Sequence, residues 1–308
     1  MQKLLVLVGP TASGKTDLSI EVAKALDAEI ISGDSMQIYQ GMAISTAQPS
    51  PEEMAGVVHY GIADRPPAEA YSAAQFQAAA RQRIADIGQR GKVPFVVGGT
   101  GLYINGLIYD YQYADTDRQG RLLAEQKVQE LGLAEVVNFL LERAPDLLAH
   151  VEKRDPRRVT RALELYYLKQ QDFLEKDMQA KYQQHAYDLT FFGLTMDRRR
   201  LYERINQRVD LMVDQGLLAE VEALLKQDLP GDTPALRAIG VKEFIPYFQG
   251  DTPLEKAINE VKKNTRRFAK RQLTWFRRDP NLTWLNLDLL SKAEAAEKII
   301  TTFQGKGE

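Results

Sequence analysis

Residues 9 to 16 read Gly9-Pro10-Thr11-Ala12-Ser13-Gly14-Lys15-Thr16, the G-x-x-x-x-G-K-[ST] spacing of a phosphate-binding loop. Its flanks carry the constraint on the fold. Before it lies the short apolar run Leu4 to Val8, the length of a buried strand. After it Leu18, Val22 and Leu26 recur every four residues, as on one face of a helix. A strand that turns tightly into a helix belongs to an α/β protein. Successive backbone N–H groups and the helix N-terminus form a concave anion site there. Lys15 adds a point charge, and the Thr16 hydroxyl is placed to meet Mg²⁺. The motif alone leaves open whether a nucleotide or another diphosphate is held.

The pattern continues through the first hundred residues. Ala28 to Ser32 reads as a second strand. Ser72-Ala73-Ala74-Gln75 is a capping box opening a helix to about Gln89, with Gly91 closing it. Val93 to Val97 is a further strand, ending in Gly98-Gly99-Thr100-Gly101. Alternation of this kind predicts a phosphate-loop-type parallel sheet flanked by helices. Residues 117–185 read as helical throughout, punctuated by Gly132 and Pro145, with Asp155-Pro156 as N-cap and first helical residue. Val159, Ala162, Leu163 and Tyr166 form the apolar stripe of that last helix and leave Arg157, Arg158 and Arg161 on its flanks. A strand returns at Thr190 to Thr195. Asp197 caps a helix to about Gln215, and Gly216 separates it from another that ends near Gln227. Thr252-Pro253-Leu254-Glu255 reads as a capping box opening a helix of about 25 residues. Thr283 to Asp288 is a last strand, and Ser291 to Glu294 caps the final helix. The expected organisation is a core domain over 1–116 and 186–308, interrupted by an all-helical insertion over 117–185.

At 308 residues the chain exceeds the size at which single cores stop growing. It contains no cysteine, which excludes disulfides, thiol catalysis and cysteine-ligated zinc. No apolar stretch approaches the about 18 residues of a membrane span, and nothing at the start resembles a signal peptide. A cytosolic monomer without membrane contact is expected. The net charge of −2 is unevenly distributed. Eight basic residues and no acid lie between Lys262 and Arg278, and Lys153, Arg154, Arg157, Arg158 and Arg161 cluster around Asp155. Such blocks on a near-neutral chain suit a polyanionic partner, although either alone also suits a solvated helix face. His59, His150 and His185 are too scattered for a metal site.

Ligands of open α/β sheets sit beyond the carboxyl ends of the strands. The phosphate loop, the run Gly33-Asp34-Ser35-Met36-Gln37 and Gly99-Thr100 lie at three such ends. Asp34 is the carboxylate directly at these ends, a candidate for proton abstraction or water-mediated Mg²⁺ binding; the alternative is a turn or N-cap aspartate. Where many phosphate-loop NTPases place a Walker-B aspartate, this chain has Gly-Gly-Thr, which weakens an ATPase reading.

The runs Gly9–Thr16, Gly33–Tyr39, Gly98–Tyr103, Asp155–Glu164 and Lys270–Arg277 together resemble the tRNA isopentenyltransferase (dimethylallyltransferase) family, in order and over nearly the full length. The resemblance implies transfer of a dimethylallyl group from dimethylallyl diphosphate to N6 of the adenosine 3′ of the anticodon. The phosphate loop, with Mg²⁺, Arg204 and Arg208, would hold the diphosphate. Asp34 would be the general base, and Thr100 would position the reacting groups. Ser35, Met36 and Gln37 would contact the extruded base. Arg121, Arg157, Arg158, Val159, Thr160 and Arg161 would meet the anticodon stem-loop, gripped by the insertion. The chain departs from the pattern at Val151-Glu152-Lys153-Arg154-Asp155, where the family has Ile-His-Pro-Asn-Asp, and at Arg237, where it often has Gln. The rival readings are a small-molecule kinase using ATP on the same loop and an RNA-binding module whose loop is a switch.

Overall fold

The structure is a computed structural model that describes residues 1–113, 118–149, 151–168, 185–231 and 233–305. The chain forms two compact units, Met1–Asp110 with His185–Glu308, and Tyr111–Gln184. His150 and the helical reading of 169–184 lie outside the described residues.

The first unit is built on six strands: β1 (Lys3–Val8), β2 (Ala28–Gly33), β3 (His59–Tyr60), β4 (Val93–Gly98), β5 (Asp188–Thr195) and β6 (Thr283–Asn286). They form one sheet in the order β3-β2-β4-β1-β5-β6, parallel at every pairing. Consecutive residues of β1 and β2 are buried whichever face they point to, as a sheet covered on both sides requires. The helices are α1 (Lys15–Leu26), α2 (Pro51–Met54), α3 (Ala73–Gln89) and α4 (Gly101–Ile108), with α8 (Arg198–Asp214), α9 (Leu217–Leu225), α10 (Ile245–Phe248), α11 (Leu254–Phe276) and α12 (Lys292–Gly305) after the insertion. Leu5, Leu7, Ile30, Phe95, Phe192, Leu194 and Leu285 pack beneath α1 and α12. A separate cluster joins Ile38, Tyr39 and Met42 of the segment after β2 to Val209, Val221 and Val261 of α8, α9 and α11. That cluster fixes the segment carrying Ser35 to Gln37 from below.

The expected caps form at Ser72, Asp155, Asp197 and Ser291. The box expected at Thr252 does not: Pro253 takes the N-cap position, with no side-chain cap bond. With the cap one residue later, Lys256 and not Glu255 falls at the third helical position, and proline offers neither a side-chain acceptor nor an N–H for a box. β3 is two residues long and carries no periodicity that a sequence could reveal. β6 ends at Asn286, where Asp288 and Leu289 turn back on the Asn286 side chain and carbonyl.

The second unit contains α5 (Arg118–Leu131), α6 (Leu133–Arg143) and α7 (Pro156–Tyr167), and no strand among the described residues. Gly132 takes a positive φ of 82° with an extended ψ of 156° between α5 and α6, a conformation open to glycine. Its core joins Ala124, Val136, Leu140, Leu147, Leu148, Val159 and Leu163. The first unit extends to Asp110 because Tyr109 and Asp110 are held inside it: the Tyr109 hydroxyl donates to both oxygens of buried Asp279, and Arg81 pairs with Asp110.

Candidate active site

The phosphate loop leaves β1 and enters α1 through two left-handed residues, Ala12 at φ 62° and Gly14 at φ 90°. The Gly14 position tolerates glycine at little cost, whereas Ala12 is held there against its preference. The loop is supported from three directions. The Lys15 ammonium donates to the carbonyls of Gly9 (2.9 Å) and Pro10 (2.8 Å), folding back over the loop. Arg204 Nε of α8 donates to the Ala12 carbonyl at 2.9 Å. Gln272 of α11 accepts from the Thr11 N–H at 2.9 Å through Oε1, and its Nε2 donates to the Gly99 carbonyl at 3.0 Å. One buried amide therefore joins the loop after β1 to the loop after β4.

This cradle is short of negative charge. Burial pushes the Lys15 ammonium down from 10.5 to about 8; Asp34 opposes the shift and Arg208 reinforces it. Burial also lowers Arg208, against the pull of Glu53 and Asp34. The Ser13 hydroxyl is buried without a hydrogen-bond partner among the described residues. Desolvated cations and an orphaned hydroxyl around a nest of N–H groups fit a bound polyanion. No group of three or more His, Asp or Glu side chains able to hold a metal occurs among the described residues. The Thr16 hydroxyl fits Mg²⁺ only as a single protein oxygen, the remainder coming from the anion and water, an arrangement common for this ion.

Asp34 begins the turn after β2. Its Oδ1 accepts from the Met36 N–H at 2.9 Å, the turn contact given above as the alternative reading of this residue. Its coupling to Lys15 and Arg208 brings it to the phosphate loop. Thr100 joins the same group: its Oγ1 accepts from the Ser35 N–H (3.0 Å) and donates to Ser35 Oγ (3.2 Å), while its own N–H donates to Gly33 O. Met36 packs against the cluster beneath.

The amide of Gln37 is fully engaged. Oε1 accepts from Ser32 Oγ (2.8 Å) and Nε2 donates to Ala47 O (3.0 Å), while Ser32 Oγ lies 3.4 Å from the Asp34 N–H. The segment that presents Ala47 is held by Glu220 of α9, which accepts from the N–H groups of Ile44 (2.7 Å) and Ser45 (2.8 Å). Gln37 thus braces the aspartate turn from inside instead of reaching outward as expected. Neither Gln272 nor Glu220 was foreseen, since their partners lie 261 and 176 residues away along the chain.

The run Gly98-Gly99-Thr100-Gly101 is explained by close approach. A Cβ at Gly98 would lie 2.4 Å from the Gly33 backbone across the β2–β4 pairing. At Gly99 it would meet Gln272 at 2.2 Å, and at Gly101 the Trp275 ring at 2.3 Å.

The expected tRNA contacts Arg121, Arg157, Arg158, Val159, Thr160 and Arg161 belong to the second unit. Val159 is fully buried in its core, which withdraws this side chain from any surface. The hydroxyl of Thr160 donates back to Pro156 O at 2.8 Å. Arg121 pairs with Glu125 (3.0 Å), Arg158 with Asp155 (3.4 Å) and Arg161 with Glu164 (2.5 Å). Arg157 is exposed and forms no ion pair among the described residues. The basic block of α11 is divided: Lys262 pairs with Asp210 and Arg266 donates to Asn206, bracing α11 on α8.

Residues 37–279 match the model of the IPP transferase family. The chain is 44% identical to a tRNA dimethylallyltransferase of Bacillus anthracis, over 99% of this chain and 96% of that one. It is similar to the crystal structure of the full-length tRNA isopentenylpyrophosphate transferase of Bacillus halodurans, at 40% identity and TM-score 0.75, covering 100% of this chain and 98% of that one. It also matches a eukaryotic dimethylallyltransferase solved in snapshots of its action on tRNA, at 27% identity and TM-score 0.79, over 98% of this chain and 80% of that one. With a model match over most of its length and full-length relatives on either side of it, the chain belongs to the IPP transferase family.

Proposed function

We propose that this chain transfers a dimethylallyl group from dimethylallyl diphosphate to the exocyclic N6 of the adenosine 3′ of the anticodon in tRNA, acting as a cytosolic monomer. The observation that carries the reading is Asp34, at the carboxyl end of β2 and coupled to Lys15 of the phosphate loop. In this reading the allylic carbon–oxygen bond breaks as a bond from N6 forms, and diphosphate departs with the electron pair. The loop N–H groups, Lys15, Arg204 and Arg208 stabilise charge on the leaving oxygens, where it develops. Mg²⁺, held in part by Thr16, would neutralise further charge on the same oxygens. The amine is a poor nucleophile because its lone pair is delocalised into the ring, so orientation and late removal of its proton by Asp34 are the available levers. Thr100 and Gln37 hold the turn that aims Asp34. An acceptor inside a folded loop must be everted to reach this group.

Kinase chemistry on the same loop is disfavoured by the transferase relatives and by the Gly-Gly-Thr run at the end of β4. Incubation of an anticodon stem-loop with labelled dimethylallyl diphosphate, and in parallel with γ-labelled ATP, tests the choice. Label is expected to reach the RNA from the first donor only. Transfer of a γ-phosphate would overturn the assignment.

A further inference from the structure

A cavity of about 320 Å³ opens beside Asp34, between the end of β2, the segment 60–71 and α3. This falls in the size range of small-ligand sites. No phosphate-loop residue lines it, nor do Thr100, Arg204 or Arg208; Asp34 is the one member of the reacting group that it shares.

Its walls are fixed before any ligand arrives. Ala63 and Arg65 donate main-chain bonds to Gln37 O (2.9 Å) and Ile38 O (3.0 Å), and Gln40 returns one to Arg65 O (2.8 Å). The hydroxyl of Tyr103 donates to Tyr71 O at 3.0 Å, and the Tyr103 ring stacks on Phe76 at 4.6 Å. Tyr60 is anchored by its hydroxyl, which donates to buried Glu29 at 2.8 Å. The Arg90 guanidinium holds that carboxyl down at about 2. On these platforms lie two guanidiniums, Arg83 over Tyr60 at 4.8 Å and Arg65 over Tyr71 at 5.9 Å.

The lining selects by chemistry. Asp34 and Asp64 oppose a phosphate, despite the two arginines. The polar rim opposes a hydrocarbon tail. A neutral planar heterocycle, with donors and acceptors at its edge and π-faces to stack, matches both the charges and the rings. The diphosphate cradle supplies none of the walls, so the reacting base cannot lie wholly inside this cavity. We infer that the cavity receives a nucleobase directly flanking the acceptor, unstacked when the acceptor is everted. This inference rests on the transferase reading above and adds a determinant of which RNA sequences are accepted.

The test uses the full chain and anticodon stem-loops that are intact, or abasic at the position 5′ or 3′ of the acceptor, together with stem-loops carrying 2-aminopurine at those positions. With the wild-type chain, one abasic substitution is expected to weaken binding by about tenfold, the order of one lost base stack. 2-Aminopurine at that position should be quenched on binding. Arg83 is exposed, so Arg83→Ala folds. It should bind intact and abasic stem-loops nearly equally and lose much of the quench, and Arg65→Ala should do the same more weakly. Equal binding of all stem-loops by the wild type, or a quench untouched by both substitutions, would overturn the inference while leaving dimethylallyl transfer to the intact stem-loop in place. Absence of that transfer would remove the underlying reading and this one together.

Discussion

Single residues differ in how they serve the site. Asp34→Asn keeps the turn, because an amide oxygen can still accept from the Met36 N–H, but removes the base. Transfer is expected to fall about 10²–10⁴-fold while tRNA affinity stays within a few-fold, measured by single-turnover kinetics and a binding titration. An active Asn variant would remove the general-base role. Lys15 carries a proton below about pH 8 and is neutral above it. Donor affinity should therefore decline as pH rises through 8. Between 8 and 10.5 the unfolded chain holds the extra proton at this lysine, so stability should rise with pH across that interval. Lys15→Met should abolish transfer and flatten the rise, whatever it costs through the lost bonds to the Gly9 and Pro10 carbonyls. The same pH dependence of the melting temperature in the wild type and the variant would contradict the desolvation of this group. Gln272→Ala should act differently. It leaves the Thr11 N–H and the Gly99 carbonyl without their partner, at about 1–3 kcal/mol of stability for each buried group left unpaired. KM for the donor should increase with kcat within a few-fold, since Gln272 supports the cradle without meeting the reacting atoms.

At the level of elements, the packing of β2 against β4 leaves no volume at their carboxyl ends. Gly98→Ala must separate backbone from backbone at Gly33, with no flexible side chain to give way. A loss of about 1–3 kcal/mol or more is expected in chemical denaturation, with activity falling in parallel; an unperturbed midpoint would show that the strands separate freely. The sequence was readable where a signal is local. The phosphate loop, the caps at Ser72, Asp155, Asp197 and Ser291, and the apolar strands all announce themselves within a few residues. The reason for Gly98 to Gly101 was not readable, because it lies in Gly33, Gln272 and Trp275, which only the folded sheet brings near. For the same reason the bracing role of Gln37 was not readable: the resemblance implied a contact with the extruded base, and the partners that occupy its amide come from a loop held by a distant helix. The basic block of α11 suited a polyanionic partner or a solvated face from sequence, and which of its residues brace the fold emerges only from the pairing of Lys262 and Arg266 with α8.

For the molecule as a whole, long-range charge should govern association with RNA. Binding should weaken steeply with salt, and each phosphate contact removed should flatten the log–log slope by about one unit. Arg157, in no side-chain ion pair among the described residues, should show the full effect on substitution by Ala. Arg158 and Arg161, already paired with Asp155 and Glu164, should show less. Equal slopes for the wild type and the Arg157 variant would argue that the second unit does not meet RNA phosphates through α7. The bond from Gln272 to Thr11 has a temporal corollary. During synthesis the anion cradle emerges well before one of its braces, since Gln272 follows Thr11 by 261 residues. A nascent chain halted before α11 should have its sheet partly assembled and still fail to retain diphosphate.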